Sequence, residues 1–216
     1  MTLPTKLFHY SRNEVEKLVP EFYEKYKQHW PEEGSMKPCG LWISVEDDPD
    51  DHNWFDWCKG EQFRLESLYH KYAVTISEDA KILHLKTVED IISFSLEYAA
   101  NDPFDFARKS LLSRREYIYM IAWSRVKEKY DGMIISPYQW GARMGSETAW
   151  YYPWDCSSGC IWNLDKVKLK LHSIIDIEAI TDKEELEEKV EEETPKDLLS
   201  EGLALLESSV RLVHKE

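Results

Sequence analysis

Short apolar runs closed by turn-forming residues recur along the first 171 residues, with amphipathic stretches between them. Residues 6–11 (Lys6-Leu7-Phe8-His9-Tyr10-Ser11) read as a first strand, and residues 39–45 (Cys39-Gly40-Leu41-Trp42-Ile43-Ser44-Val45) as a second. Asn13 is placed to cap a helix carrying Val15, Leu18, Val19 and Phe22, with Pro20 in its middle. Residues 46–53 are rich in acids, Pro and Asn, hence a loop, and residues 54–69 mix aromatics at loosely helical spacing. Residues 72–76 and 81–85 predict two strands joined by a tight turn at Ser77-Glu78-Asp79-Ala80. Thr87-Val88-Glu89-Asp90 fits a capping box, with Asp in the last place, before a helix through Ile91, Phe94 and Tyr98. Further helical patterns cover residues 104–112 and 114–129, and later strands are expected at 133–135, 160–162 and 167–171. Strands, then helices, then strands argue an α+β fold rather than an alternating doubly wound sheet.

The last part of the chain differs. Residues 175–216 hold 14 acids and 5 bases, while the whole chain carries −14, so residues 1–174 are only mildly acidic. The expected organisation is one domain over 1–174 and an acidic helical tail over 175–216. Leu198, Leu199, Leu203, Leu205, Leu206, Val210 and Val213 give that tail an amphipathic stripe. Such a stripe packs on its own domain or engages a protein partner. Hydrophobic residues make up 43% and charged residues 31%, an ordinary globular balance. The acidic balance disfavours non-specific binding of nucleic acid or anionic membranes. No apolar run reaches spanning length and the N-terminus lacks a secretory apolar core, so a cytoplasmic protein that engages no membrane is expected. Cys39, Cys58, Cys156 and Cys160 are expected as free thiols; a structural zinc on the four is the weighed alternative, and a nucleophilic Cys ranks below it.

Candidate chemistry centres on aromatics. The runs 130–135 and 158–163 enclose a connection holding Tyr138, Trp140, Trp150, Tyr151, Tyr152 and Trp154, then Asp155. Core strands do not need such a connection, whereas sites for flat rings use aromatic faces with polar tips. On the first strand His9 and Ser11 share one face, and on the second Trp42 and Ser44 share one. A lone His on a strand is most simply a core residue with a backbone partner; its pairing with Ser44 and the aromatic connection points instead to a ligand. No Walker loop, GxGxxG, HExxH or GxSxG occurs.

Four segments in order carry a resemblance: Phe8-His9-Tyr10-Ser11, Gly40-Leu41-Trp42-Ile43-Ser44, Tyr130-Asp131-Gly132-Met133-Ile134-Ile135, and Ser158-Gly159-Cys160-Ile161-Trp162-Asn163. Together, over about residues 6–171, they resemble the ADP-ribosyltransferase superfamily. That resemblance implies a split pair of small β-sheets around an NAD cleft, with flanking helices. It implies NAD as substrate, cleaved with transfer of ADP-ribose to a macromolecular acceptor, protein or nucleic acid. A non-enzymatic module holding NAD or a nucleotide, or a protein-interaction module, is the alternative. By position, His9 would hydrogen-bond the nicotinamide-side ribose, with Tyr10 and Ser11 beside it on the strand. Trp42 and one of Tyr138 or Tyr152 would stack on the ring, and Ser44 would support the floor. Two positions depart from the pattern: Tyr10 stands where Gly is frequent, and Ser158 stands where the late strand presents a catalytic Glu. Asp155 is then the expected acid, with Glu147 the next nearest.

Overall fold

A computed structural model describes residues 3–19, 35–100 and 120–181. The expected helices at 104–112 and along most of 114–129, and the tail helices, lie wholly or largely outside those residues. By contact density the chain divides into two units, Met1–Ile177 and Glu178–Glu216. Everything below concerns the first.

Seven strands form one sheet. They are β1 (Leu7–Ser11), β2 (Leu41–Val45), β3 (His70–Ile76), β4 (Ile82–Leu85), β5 (Gly132–Ile135), β6 (Ser158–Ile161) and β7 (Val167–Ile174). Their order across the sheet is β4-β5-β6-β2-β1-β3-β7, and every neighbouring pair is antiparallel except β4–β5. The expected α+β class is what the structure shows. The expected pair of small sheets is instead one sheet with a thin seam. β1 and β2 pair only at Leu7↔Val45 and Phe8↔Ser44, whereas β3 and β7 pair along seven positions.

Alternation along the strands builds two apolar clusters. Leu7, Ile43, Val45, Val74, Ile134 and Ile161 belong to one. Met133 and Ile135 belong to the other, against the helices α2 (Val88–Tyr98) and α3 (Trp123–Lys127) and the buried rings of Trp150, Tyr151 and Trp154. Helix α2 starts as its sequence implies. Thr87 Oγ1 accepts from the Asp90 N–H at 3.1 Å and Asp90 returns the bond to the Thr87 N–H, a reciprocal cap. Ser95 Oγ, buried mid-helix, donates to the Ile91 carbonyl and accepts from Trp150 Nε1 at 2.7 Å, which pins the aromatic connection to α2.

Two expectations differ from the structure. β3 and β4 are strands but not a hairpin, for they stand in opposite halves of the sheet. The intervening turn is held from both sides: Ser77 N–H donates to the Lys166 carbonyl, and Lys81 exchanges bonds with Asp131, leading the chain to β5 instead of back on β3. β4 then pairs parallel to β5, which requires a long crossover that α2 and α3 occupy in part. Described residues after Asn13 form no helix up to Val19; Val15 N–H is taken by the Tyr72 hydroxyl at 2.8 Å. The stretch 54–69 is a short helix α1 (Trp54–Gly60) and a 3-10 turn (Leu65–Leu68). No helix among the described residues is long and apolar enough to cross a membrane.

Gly159 lies where three strands crowd. A Cβ built there would sit 2.7 Å from the Met133 carbonyl oxygen and 2.9 Å from Ile134, which no side-chain shift relieves on the backbone side. Gly159→Ala is expected to cost about 1–3 kcal/mol in chemical denaturation. An unchanged midpoint would show that β5 and β6 are not this closely apposed.

Candidate functional site

Where β1 and β2 part, a cavity of about 350 Å3 opens. That lies within the range of about 300–1,000 Å3 common for small-molecule sites. His9, Trp42, Ser44, Asp155 and Ser158 all line it, with Phe8 and Tyr10. Residues from β1, β2 and the start of β6, distant in sequence, thus meet at one place.

His9 is set by the parting strands. Its Nδ1 lies 2.8 Å from the Trp42 carbonyl oxygen. A carbonyl only accepts, so Nδ1 carries the proton, and in the neutral ring Nε2 is left as an acceptor. Burial holds the His9 pKa below its ordinary value, the bond to Trp42 opposing this, so the neutral ring is the form near pH 7. Trp42 meets Trp154 edge-on at 4.8 Å between centroids, and the Lys37 ammonium lies 4.9 Å over the Trp42 ring. Ser44 Oγ accepts from the Trp54 N–H at 3.1 Å, so it fixes the start of α1, while Asn53 caps that helix on Asp56. Ser44 therefore shapes the wall as well as lining it.

Asp155 is oriented by Arg143, whose Nη2 lies 3.0 Å from Asp155 Oδ1 and whose Nη1 donates to the Tyr138 hydroxyl at 3.0 Å. Ser158, where an acid is expected, keeps its hydroxyl internal, donating to the Cys156 carbonyl at 3.0 Å. Glu147 is exposed and does not line the cavity. Tyr10 lines it but its phenol points to other work: the hydroxyl donates to Glu46 Oε1 at 2.6 Å, and Glu46 Oε2 holds Lys71 at 2.7 Å. Burial and then the Glu46 bond push the Tyr10 pKa far up, so it stays a donor.

Three expected ligand contacts stand apart from the cavity. Ser11 lies beyond it and donates to the Asn13 carbonyl at 2.7 Å. Tyr138 is only 5% exposed, packed between Tyr151 and Trp140. Tyr152 is 51% exposed and faces solvent. A further aromatic wall of the cavity comes from α1 and the loop after it. Trp54 and Trp57 stack at 5.2 Å and Phe63 closes on both; Trp54 and Phe63 line the cavity. Arg64 completes that wall in a left-handed backbone conformation, φ 48°, beside Gln62 at φ 47°. Non-glycine residues held there cost about 1–3 kcal/mol and cluster at ligand sites.

Sequence reasoning missed Phe63, Arg64 and Lys37. The only hint was a pair of basic residues flanking aromatic clusters, and a backbone twist has no compositional signature outside Gly. Lys37 is a half-buried ammonium with an aromatic face against it; burial lowers its pKa, with Asp155 opposing. No carboxylate pairs with Lys37 or Arg64 among the described residues. The Asp155 charge still reaches Lys37, so Arg64 and Lys37 put positive charge on a cavity that also holds one acid.

None of the four cysteines is in a disulfide. Among the described residues no group of three or more His, Cys, Asp or Glu is placed to hold a metal ion. Burial pushes the thiols of Cys58 and Cys156 up to about 12, far from thiolate chemistry near neutrality. No family model, curated protein or solved structure matches the chain.

Two predictions follow from these environments. Cys58 and Cys156 should react with a thiol reagent at pH 8 only on unfolding; fast labelling of either in the native protein would contradict their burial. The folded pKa of His9 lies below 6.5, so the unfolded chain takes up a proton there that the folded chain refuses. Stability from this residue is full above pH 6.5 and is lost as pH falls toward the folded value. His9→Asn should therefore flatten the drop in urea midpoint between pH 7.5 and 5.5. An unchanged drop would place the burden elsewhere.

Proposed function

We propose that the cavity binds NAD and that the protein is a mono-ADP-ribosyltransferase, splitting NAD and passing ADP-ribose to a macromolecule. The observation that carries the reading is the meeting of His9, Trp42 and Asp155 on one cavity. The four-segment resemblance to the ADP-ribosyltransferase superfamily suggests the same roles for the first two.

In this reading the nicotinamide ring lies among Trp42, Trp54 and Phe63, where aromatic faces hold a planar ring. His9 Nε2 accepts from a ribose hydroxyl, its lone pair guaranteed by the bond from Nδ1 to Trp42. Lys37 and Arg64 receive phosphate oxygens. The bond from nicotinamide nitrogen to ribose C1′ breaks and its electron pair leaves with nicotinamide. Positive charge develops on the sugar, and the Asp155 carboxylate stabilises it. An acceptor nucleophile then forms the new bond to C1′ and loses its proton to Asp155 or to water. Arg143 fixes the Asp155 rotamer, which matters because Asp is shorter than Glu and has less reach.

A second reading rests on a specific observation. The Ser158 hydroxyl is consumed by the Cys156 carbonyl, and Asp155 is already partnered by Arg143. A cavity so arranged can hold NAD or ADP-ribose without turnover. Nicotinamide-labelled NAD separates the two. Transferase activity predicts release of labelled nicotinamide, a loss of about 10²-fold or more in Asp155→Asn with NAD binding retained, and weakened NAD binding in His9→Ala. Binding without release supports the binding module. No binding, and no effect of His9→Ala, contradicts both.

A further inference from the structure

We infer that the face formed by Trp140, Met144 and Tyr152 docks a lysine- or arginine-rich segment of a partner protein. The face lies outside the cavity, on the connection between β5 and β6, and the inference stands whether or not the cavity takes NAD. Trp140 is 61% exposed, Met144 81% and Tyr152 51%. Trp140 and Tyr152 both lie against Arg143, with Met144 next to it in sequence, and large apolar side chains so exposed mark interaction surfaces.

Their exposure is not slack. Trp150, Tyr151 and Trp154 are fully buried in the same connection, and Trp150 is bonded to Ser95 on α2. Gln139 Nε2 donates to the Lys86 carbonyl at 2.8 Å, and Gln139 N–H donates to the Tyr151 hydroxyl at 3.0 Å. The buried half of the connection is anchored to the core, so the backbone that carries the outer side chains is already ordered, which lowers the cost of binding. Arg143 spaces the two exposed rings, its guanidinium 5.8 Å from Trp140 and 5.2 Å from Tyr152. That guanidinium is answered by Asp155, so it leaves the face without a free positive charge.

The charge around the face decides the partner. Asp48, Asp50 and Glu147 are exposed, and no cation pairs with them among the described residues. The loop bearing Asp48 and Asp50 is tied to the face: Asp51 Oδ1 accepts from Tyr138 N–H at 3.0 Å, and the His52 ring lies 6.0 Å from Trp140. Exposed Trp and Tyr rings with unpaired acids on an adjoining loop and in the same connection suit guanidinium and ammonium groups, which stack on the rings and pair with the acids. A nucleic acid would bring phosphates against the same carboxylates with no counter-charge to release. Arg143 links this face to the cavity through Asp155, so a docked segment would lie beside the cavity rim.

The test uses the full chain and three fluorescein-labelled probes: an Arg- and Lys-rich decapeptide, its Glu-substituted counterpart and a single-stranded oligonucleotide. Fluorescence anisotropy should show saturable binding of the basic peptide alone, weakening with salt. The pair Trp140→Ala and Tyr152→Ala should weaken it about tenfold. Asp48→Asn with Asp50→Asn and Glu147→Gln should weaken it several-fold. All substituted surface side chains are exposed, so folding is preserved and circular dichroism checks it. Absent binding, equal or tighter binding of either other probe, or basic-peptide binding that ignores the loss of both rings overturns the inference. The last result would mean attraction to the acidic chain at large.

Discussion

The strands β1 and β2 share two residue pairs and then part, and the cavity of this fold depends on that parting. Beyond Phe8↔Ser44, β1 stays paired with β3 alone and β2 with β6 alone, leaving their facing edges open. The backbone groups at the opening need partners, because a buried unpaired carbonyl is costly. His9 supplies one, its ring nitrogen donating to the Trp42 carbonyl across the gap. A net contribution of about 1 kcal/mol is typical for such a bond. Its larger consequence is chemical: it fixes the His9 tautomer and aims a lone pair at whatever occupies the space. The cavity, the orientation of Trp42 and the acceptor at His9 are one event in the fold.

Aromatic side chains do two different jobs around that opening. Trp150, Tyr151 and Trp154 are structural, sealed against α2 and β5, where their area removes water from the core. Trp54 and Phe63 are half in and half out, and they make the wall a planar ligand would meet. Between the two groups sits the ion pair of Arg143 and Asp155, which ties the acid at the cavity to the outer surface of the connection. Cavity-side and solvent-side features of the β5–β6 connection are therefore joined through one salt bridge that is about four-fifths buried on both sides.

Much of this was legible in residue order, and the rest failed for identifiable reasons. β1, β2, β5 and β6 were readable because each is a short apolar run closed by turn residues, and Thr87 announced α2 through its cap. The pairing of β3 with β4 was misread because proximity in sequence suggests a hairpin, while Asp131, fifty residues on, captures Lys81 and sends the chain across the sheet. Strand alternation points to His9, Trp42 and Ser44, and Asp155 stands out as the acid nearest Ser158; the structure brings the four to one cavity. Tyr138 and Tyr152 were not separable by sequence: both are tyrosines in one connection, one sealed in by packing and one left out. Arg64 was invisible because its role comes from a left-handed backbone at a non-glycine position.

In the proposed function, NAD binds where β1 and β2 part, at a site organised by His9. A crystal structure of the protein grown with NAD tests this most directly. The expected result is the nicotinamide ring beside Trp42, Trp54 and Phe63, a ribose hydroxyl within hydrogen-bond reach of His9 Nε2, and phosphate oxygens near Lys37 or Arg64. NAD bound elsewhere on the chain, or a cavity that stays empty at saturating NAD, would contradict it.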